Sequence, residues 1–138
     1  MCHIITVTLQ LRLRPGEPIF DQVVFAAKKA FLSGEFLPGQ AFPSVRALAA
    51  DLKIHPNTAH KVVQHLIQEG FLEARHGVGT VVAELPEASA TDKKRLLRQE
   101  VEQLVVEAMR MGLELPQVVE AIESQWASLE RQAEASRK

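Results

Sequence analysis

An α+β fold that is mainly α is predicted by three features of this 138-residue sequence. Two amphipathic segments, Val45 to Leu52 and Pro56 to about Glu69, are separated by only three residues, Lys53 to His55. Two short strand-like runs around "HGVG" follow the second segment at once, and a further pair of amphipathic segments fills the last third of the chain. Two helices joined by so short a turn, preceded by a third helix and followed by a β-hairpin, make a winged helix-turn-helix, a plan that offers its second paired helix to the DNA major groove.

The elements follow in order. Ile5, Val7, Leu9, Leu11 and Leu13 alternate with Thr6, Thr8, Gln10 and Arg12, and this period of two predicts a half-buried strand. "RPGEP", Arg14 to Pro18, breaks it. Ile19, Val23, Val24, Ala27, Ala30 and Phe31 then recur at helical spacing, with Pro18 suited to the first turn and Gly34 to the cap after the last. Ser44 is a good N-cap for Val45 to Leu52, whose Val45, Leu48, Ala49 and Leu52 share a face. In the next helix Ala59, Val62, Val63, Leu66 and Ile67 form one apolar stripe, and Gly70 closes it. Phe71 to Arg75 and Thr80 to Ala83 are strands of a hairpin, its turn carrying two glycines.

"ELPEASAT", Glu84 to Thr91, is small, polar and interrupted by a proline, and is expected to be a linker. The domain organisation expected is therefore residues 1–83, a linker at 84–91, and a two-helix region at 92–138. The first of these helices spans about Asp92 to Met111, with Leu97, Val101, Leu104, Val105, Ala108 and Met109 on its apolar side and Gly112 as its cap. The second starts near Pro116 and carries Val118, Val119, Ile122, Trp126 and Leu129. The closing "RQAEASRK" is expected to fray. A helical pair of about 40 residues is too short to enclose a ligand with a core of its own. It leaves an apolar stripe that one copy cannot bury, so the expectation is a homodimer paired through these residues.

Composition narrows the function. The chain is 46% hydrophobic and 24% charged, ordinary for a globular protein. Its one cysteine, Cys2, rules out an intrachain disulfide. No apolar run reaches the roughly 20 residues a bilayer span needs, and the start alternates instead of forming a signal-peptide block. A cytoplasmic protein without a membrane partner is expected. Net charge is −1, but residues 1–83 hold 8 Lys and Arg against 6 Asp and Glu, and residues 84–138 hold 8 against 11. The front is mildly basic and the back acidic, which permits DNA binding by the front without demanding it.

The histidines invite a metal. His55, His60 and His65 lie five apart, so each steps round the helix by roughly 140° and they share no face. A helical metal site wants spacing near i and i+4, and Cys2 with His3 stands apart. No metal or other cofactor is expected. No nucleophile–base–orienter set or phosphate-cradling glycine loop is present, so no catalytic residue is assigned. Donors for DNA, in contrast, sit where the motif needs them. Ser44 and Arg46 open the first paired helix and suit phosphate or a guanine edge. Asn57 and Thr58 occupy the first turn of the second, with simple N-terminal capping as the bland alternative; His60 and Lys61 continue its exposed side.

At this point the stretch from Pro18 to Val82 resembles the DNA-binding domain of the GntR family of bacterial transcription regulators. "SGEFLPGQAFPSVRALAADL", the "PNT" helix start, the wing "QEGFLEARHGVGT" and their mutual spacing carry the resemblance over about half the chain. The short helical tail and N-terminal strand are similar to the YtrA-like branch. The resemblance implies that Ser44 and Arg46 contact DNA, that His55, Pro56, Asn57 and Thr58 begin the recognition helix, that His60 is a later contact, and that His76 and Gly77 form a wing tip reaching the minor groove. Pro56 and His60 depart from the pattern, standing where many members carry a basic residue, and Pro56 has no N–H to donate.

The function expected is a sequence-specific DNA-binding transcription regulator, a repressor acting as a homodimer on a near-palindromic operator in double-stranded DNA. A small-molecule effector of unknown identity would act by changing the spacing of the two halves. Two other readings compete with it: a winged-helix module for protein–protein assembly, and a small-molecule sensor with its ligand at the domain junction.

Overall fold

The structure, a computed structural model, describes residue 9 and residues 11–137. Cys2, His3 and the predicted strand from Ile5 to Thr8, with Gln10, lie outside the described residues. Leu9, Leu11 and Leu13 are not in a strand; Leu9 is buried, and Leu11 and Leu13 pack against the same core. The described chain forms two compact units, one reaching to Pro86 and taking in Gln132 onward, the other Glu87–Arg131.

The first unit contains α1 (Ile19–Leu32), α2 (Val45–Leu52), α3 (Pro56–Gln68), β1 (Leu72–Arg75) and β2 (Gly79–Val82). Val23, Ala27 and Phe31 on α1 meet a core that includes Ala59, Val62 and Leu66 on α3 and Leu48 and Leu52 on α2. Ala59, Val62 and Leu66 are fully buried, so removing the Leu66 side chain leaves a cavity costing about 2–5 kcal/mol. Four of the six phenylalanines gather beside them. Phe31 stacks on Phe71 at 5.9 Å and meets Phe36 and Phe42 at 6.2 and 5.9 Å. This aromatic cluster ties the end of α1 to the segments before α2 and after α3.

Buried polar groups are satisfied. Gln22 accepts from the Arg14 N–H at 2.7 Å and donates to the Arg14 and Glu17 carbonyls at 3.1 Å each, pinning the "RPGEP" loop to α1. The wing is antiparallel, with Leu72 opposite Val82 and Arg75 opposite Gly79, which leaves a three-residue turn, His76 to Val78. A third segment pairs with β2: the Phe42 N–H donates to the Thr80 carbonyl at 2.9 Å, and the Val82 N–H to the Gln40 carbonyl at 2.8 Å. The chain that leads into α2 is therefore fixed against the wing.

The second unit holds α4 (Ala90–Arg95), a π-helical turn (Leu96–Glu100), α5 (Val101–Arg110) and most of α6 (Leu115–Ser136). Two expectations of the sequence are corrected here. Helix begins at Ala90, inside the stretch read as linker, because Ser89 caps it: its Oγ accepts from the Asp92 N–H at 3.1 Å and donates to the Asp92 carboxylate at 2.9 Å. The end does not fray, since α6 runs to Ser136. "RQAEAS" holds no glycine or proline to stop it, and the Ser136 hydroxyl reaches the Ser33 carbonyl at 2.9 Å within the first unit.

Candidate nucleic-acid interface

α3 starts on a cap that its sequence does not advertise. His55 is the N-cap, extended at φ −65°, and its Nδ1 accepts the Asn57 N–H at 3.0 Å. Pro56 takes the first helical position, where a missing N–H leaves nothing unpaired. With His55 as the cap, Asn57 and Thr58 are released from the capping role that was their bland alternative. Among the described residues neither side chain bonds within the chain, and Asn57 is exposed while Thr58 is half-buried.

The helix then divides into two faces. Ala59, Val62, Val63 and Leu66 go to the core; Pro56, Asn57, His60, Lys61 and Gln64 stay in water. No Asp or Glu occurs between Pro56 and Gln68, so this outer face carries no charge of its own that repels phosphate. The N-terminal end of the helix dipole adds to the attraction.

α2 packs beside α3 and contributes its own N-terminus. Ser44 is extended at φ −64° and its Oγ accepts the Ala47 N–H at 3.1 Å, the capping role its sequence position predicts. Acceptance from Ala47 leaves the hydroxyl proton available to a phosphate oxygen. Arg46 is exposed and makes no salt bridge among the described residues. At the wing, His76 and Gly77 are exposed at the turn, where Gly77 adopts φ +79°.

The three histidines of α3 separate as their spacing predicts. His55 caps, His60 faces water, and His65 is drawn inward: its Nε2 lies 2.7 Å from Glu69, and its ring meets Phe20 edge-on at 5.3 Å. Lys28 approaches the same Glu69 at 2.9 Å and sits over the Phe71 ring at 5.3 Å. Burial pushes the Glu69 carboxyl up, but the hydrogen bond and charge of Lys28, joined by His65, outweigh it and hold the group below its ordinary value. This cluster braces α3 against α1, and it commits His65 to contacts within the chain.

Two exposed residues escaped the sequence reading. Gln64 follows Asn57 by seven residues, a signal available from helical periodicity. Lys53 ends α2 at φ +55°, the single non-glycine residue at positive φ among those described, and its side chain is exposed in the turn that feeds α3. Nothing about a lysine foretells that conformation.

In the second unit Leu97, Val101, Leu104, Val105, Met109, Val119, Ile122 and Trp126 are all exposed. Ala108 is buried, and Val118 and Leu129 are half-buried. No helix among the described residues is long and apolar enough to cross a membrane.

Known proteins share this arrangement. The family described as "Bacterial regulatory proteins, gntR family" matches residues 21–82. The chain is 32% identical over 115 residues to the HTH-type transcriptional repressor YtrA of Bacillus subtilis (strain 168), covering 83% of this chain and 88% of that protein. A solved structure described as a transcriptional antiterminator from Listeria monocytogenes EGD-e superposes with a TM-score of 0.74 at 20% identity, over 87% of this chain and 90% of that one. YtrA from Sulfolobus acidocaldarius, described as a GntR-family transcription factor, superposes with a TM-score of 0.56 at 24% identity, over 71% and 97%.

Proposed function

The chain belongs to the gntR family of bacterial regulatory proteins, and from that premise we propose that it represses transcription by binding a near-palindromic operator as a homodimer. It is a DNA-binding transcription regulator and not an enzyme, as its relatives and fold are those of regulators. The observation that carries the fuller reading is the outer face of α3, where Asn57, His60 and Lys61 are exposed, with Arg46 and Ser44 at the head of the adjoining α2. Thr58 joins them at the first turn. Asn57 suits an adenine edge, Thr58 a phosphate or thymine methyl, and Arg46 a phosphate or guanine. The wing tip, His76 and Gly77, adds contacts in the adjoining minor groove.

The sign of regulation is supported by the name of the Bacillus subtilis relative, a repressor. The homodimer is supported by the exposed apolar side chains between Leu97 and Trp126, since clustered apolar surface marks interaction sites. Two recognition helices held by that pairing enter successive major grooves about one helical turn apart. An effector that alters their spacing weakens both half-site contacts together. DNA as partner places the work of the protein in the cytoplasm.

Genomic fragments captured by the intact chain and sequenced test this reading. Enriched fragments should share two inverted half-sites about one helical turn apart, centred over promoters. Enrichment of single, unpaired half-sites counts against the dimeric operator.

A further inference from the structure

The reading face of α3 continues beyond its first turn. Gln64 lies seven residues after Asn57, so at 100° per residue the two side chains fall on one line to within about 20°. His60 and Lys61 flank that line on either side. Gln64 is exposed, and among the described residues its amide makes no hydrogen bond within the chain. Other residues of the helix are committed elsewhere or lack a donor. His65 is held by Glu69 and Phe20, and Pro56 at the head of the helix offers no hydrogen bond to a base.

We infer that Gln64 reads a base edge and that its partner is adenine. A glutamine amide pairs with the adenine N6 and N7 positions through both its oxygen and its nitrogen. The helical rise places Gln64 about 10 Å beyond Asn57 along the axis of α3, so the two side chains reach different bases. The proline at the helix head removes a donor from the first turn, and Gln64 supplies one two turns later. This rests on the proposal that α3 enters the major groove.

Selection of the full-length chain on a pool of random-sequence DNA duplexes tests it. Wild type is run beside Gln64→Ala, Gln64→Glu and Asn57→Ala, each first shown to melt as wild type does. Wild type should enrich a motif with an adenine position that Gln64→Ala flattens, relaxing discrimination there by roughly 10- to 100-fold. Gln64→Glu should move the preference at that same position toward cytosine, whose N4 donates to a carboxylate. Asn57→Ala should flatten a different position of the same motif. Motifs unchanged from wild type in both Gln64 variants overturn the assignment while leaving DNA binding intact. A wild-type chain that enriches no motif overturns the assignment and the operator reading together.

Discussion

His55 does for α3 what serine does for α2, and the substitution is legible only in three dimensions. A histidine before a proline carries no capping signature, whereas Asn57 and Thr58 both do. Pro56 fixes the first helical position and so puts the cap two residues ahead of the asparagine. His55→Ala should lower stability by about 0.5–1 kcal/mol, read as a lower urea midpoint, and His55→Ser should restore it. Lys53 is a second residue whose role depends on backbone alone. Its left-handed conformation costs about 1 kcal/mol, and it is held there by the Ile54 N–H, which donates to the Ala49 carbonyl at 3.0 Å. Glu69 carries the pH dependence. Its carboxyl is lowered in the folded chain, so the stability it contributes is fully present above the unfolded value and is lost as pH falls through the folded one. Glu69→Gln should therefore unfold more easily than wild type at neutral pH. The difference should close in acid below the ordinary glutamate range, and it should be modest because the pair is over a third exposed.

At the scale of elements, periodicity located α1, α2 and α3 to within a residue or so, because each buries one stripe and ends on a glycine or a left-handed turn. Compositional reading failed where contacts at chain ends decided the outcome. Ser89 begins a helix inside a stretch that looks like linker, and Ser136 holds a tail that looks ready to fray. Of the candidate interface, the N-terminal donors were legible as motif positions; the division of labour among the histidines needed Phe20 and Lys28, which are distant in sequence. The apolar stripe of α5 was also legible, although Ala108 proves to be an inward position. Leu104 is 45% exposed, so Leu104→Glu should leave the fold intact and convert the dimer to monomer at micromolar concentration. Light scattering decides this, and wild type already monomeric at that concentration would contradict the dimer.

For the whole molecule, the net charge of −1 conceals a front of +2 and a back of −3. DNA affinity must therefore come from a local surface, with Arg46 on α2 and Lys61 on the acid-free α3, and not from the charge of the chain. Counterion release from such a surface makes binding steeply salt-dependent. The most direct test is fluorescence anisotropy of the intact chain with a labelled duplex spanning its own promoter region, measured across a salt series for wild type, Arg46→Ala and Thr58→Ala. The account predicts tight binding at low salt, an affinity that falls linearly with salt on logarithmic axes, and weaker specific binding by both variants. Absence of a complex with wild type even at low salt, or variants that bind as wild type does, would contradict it.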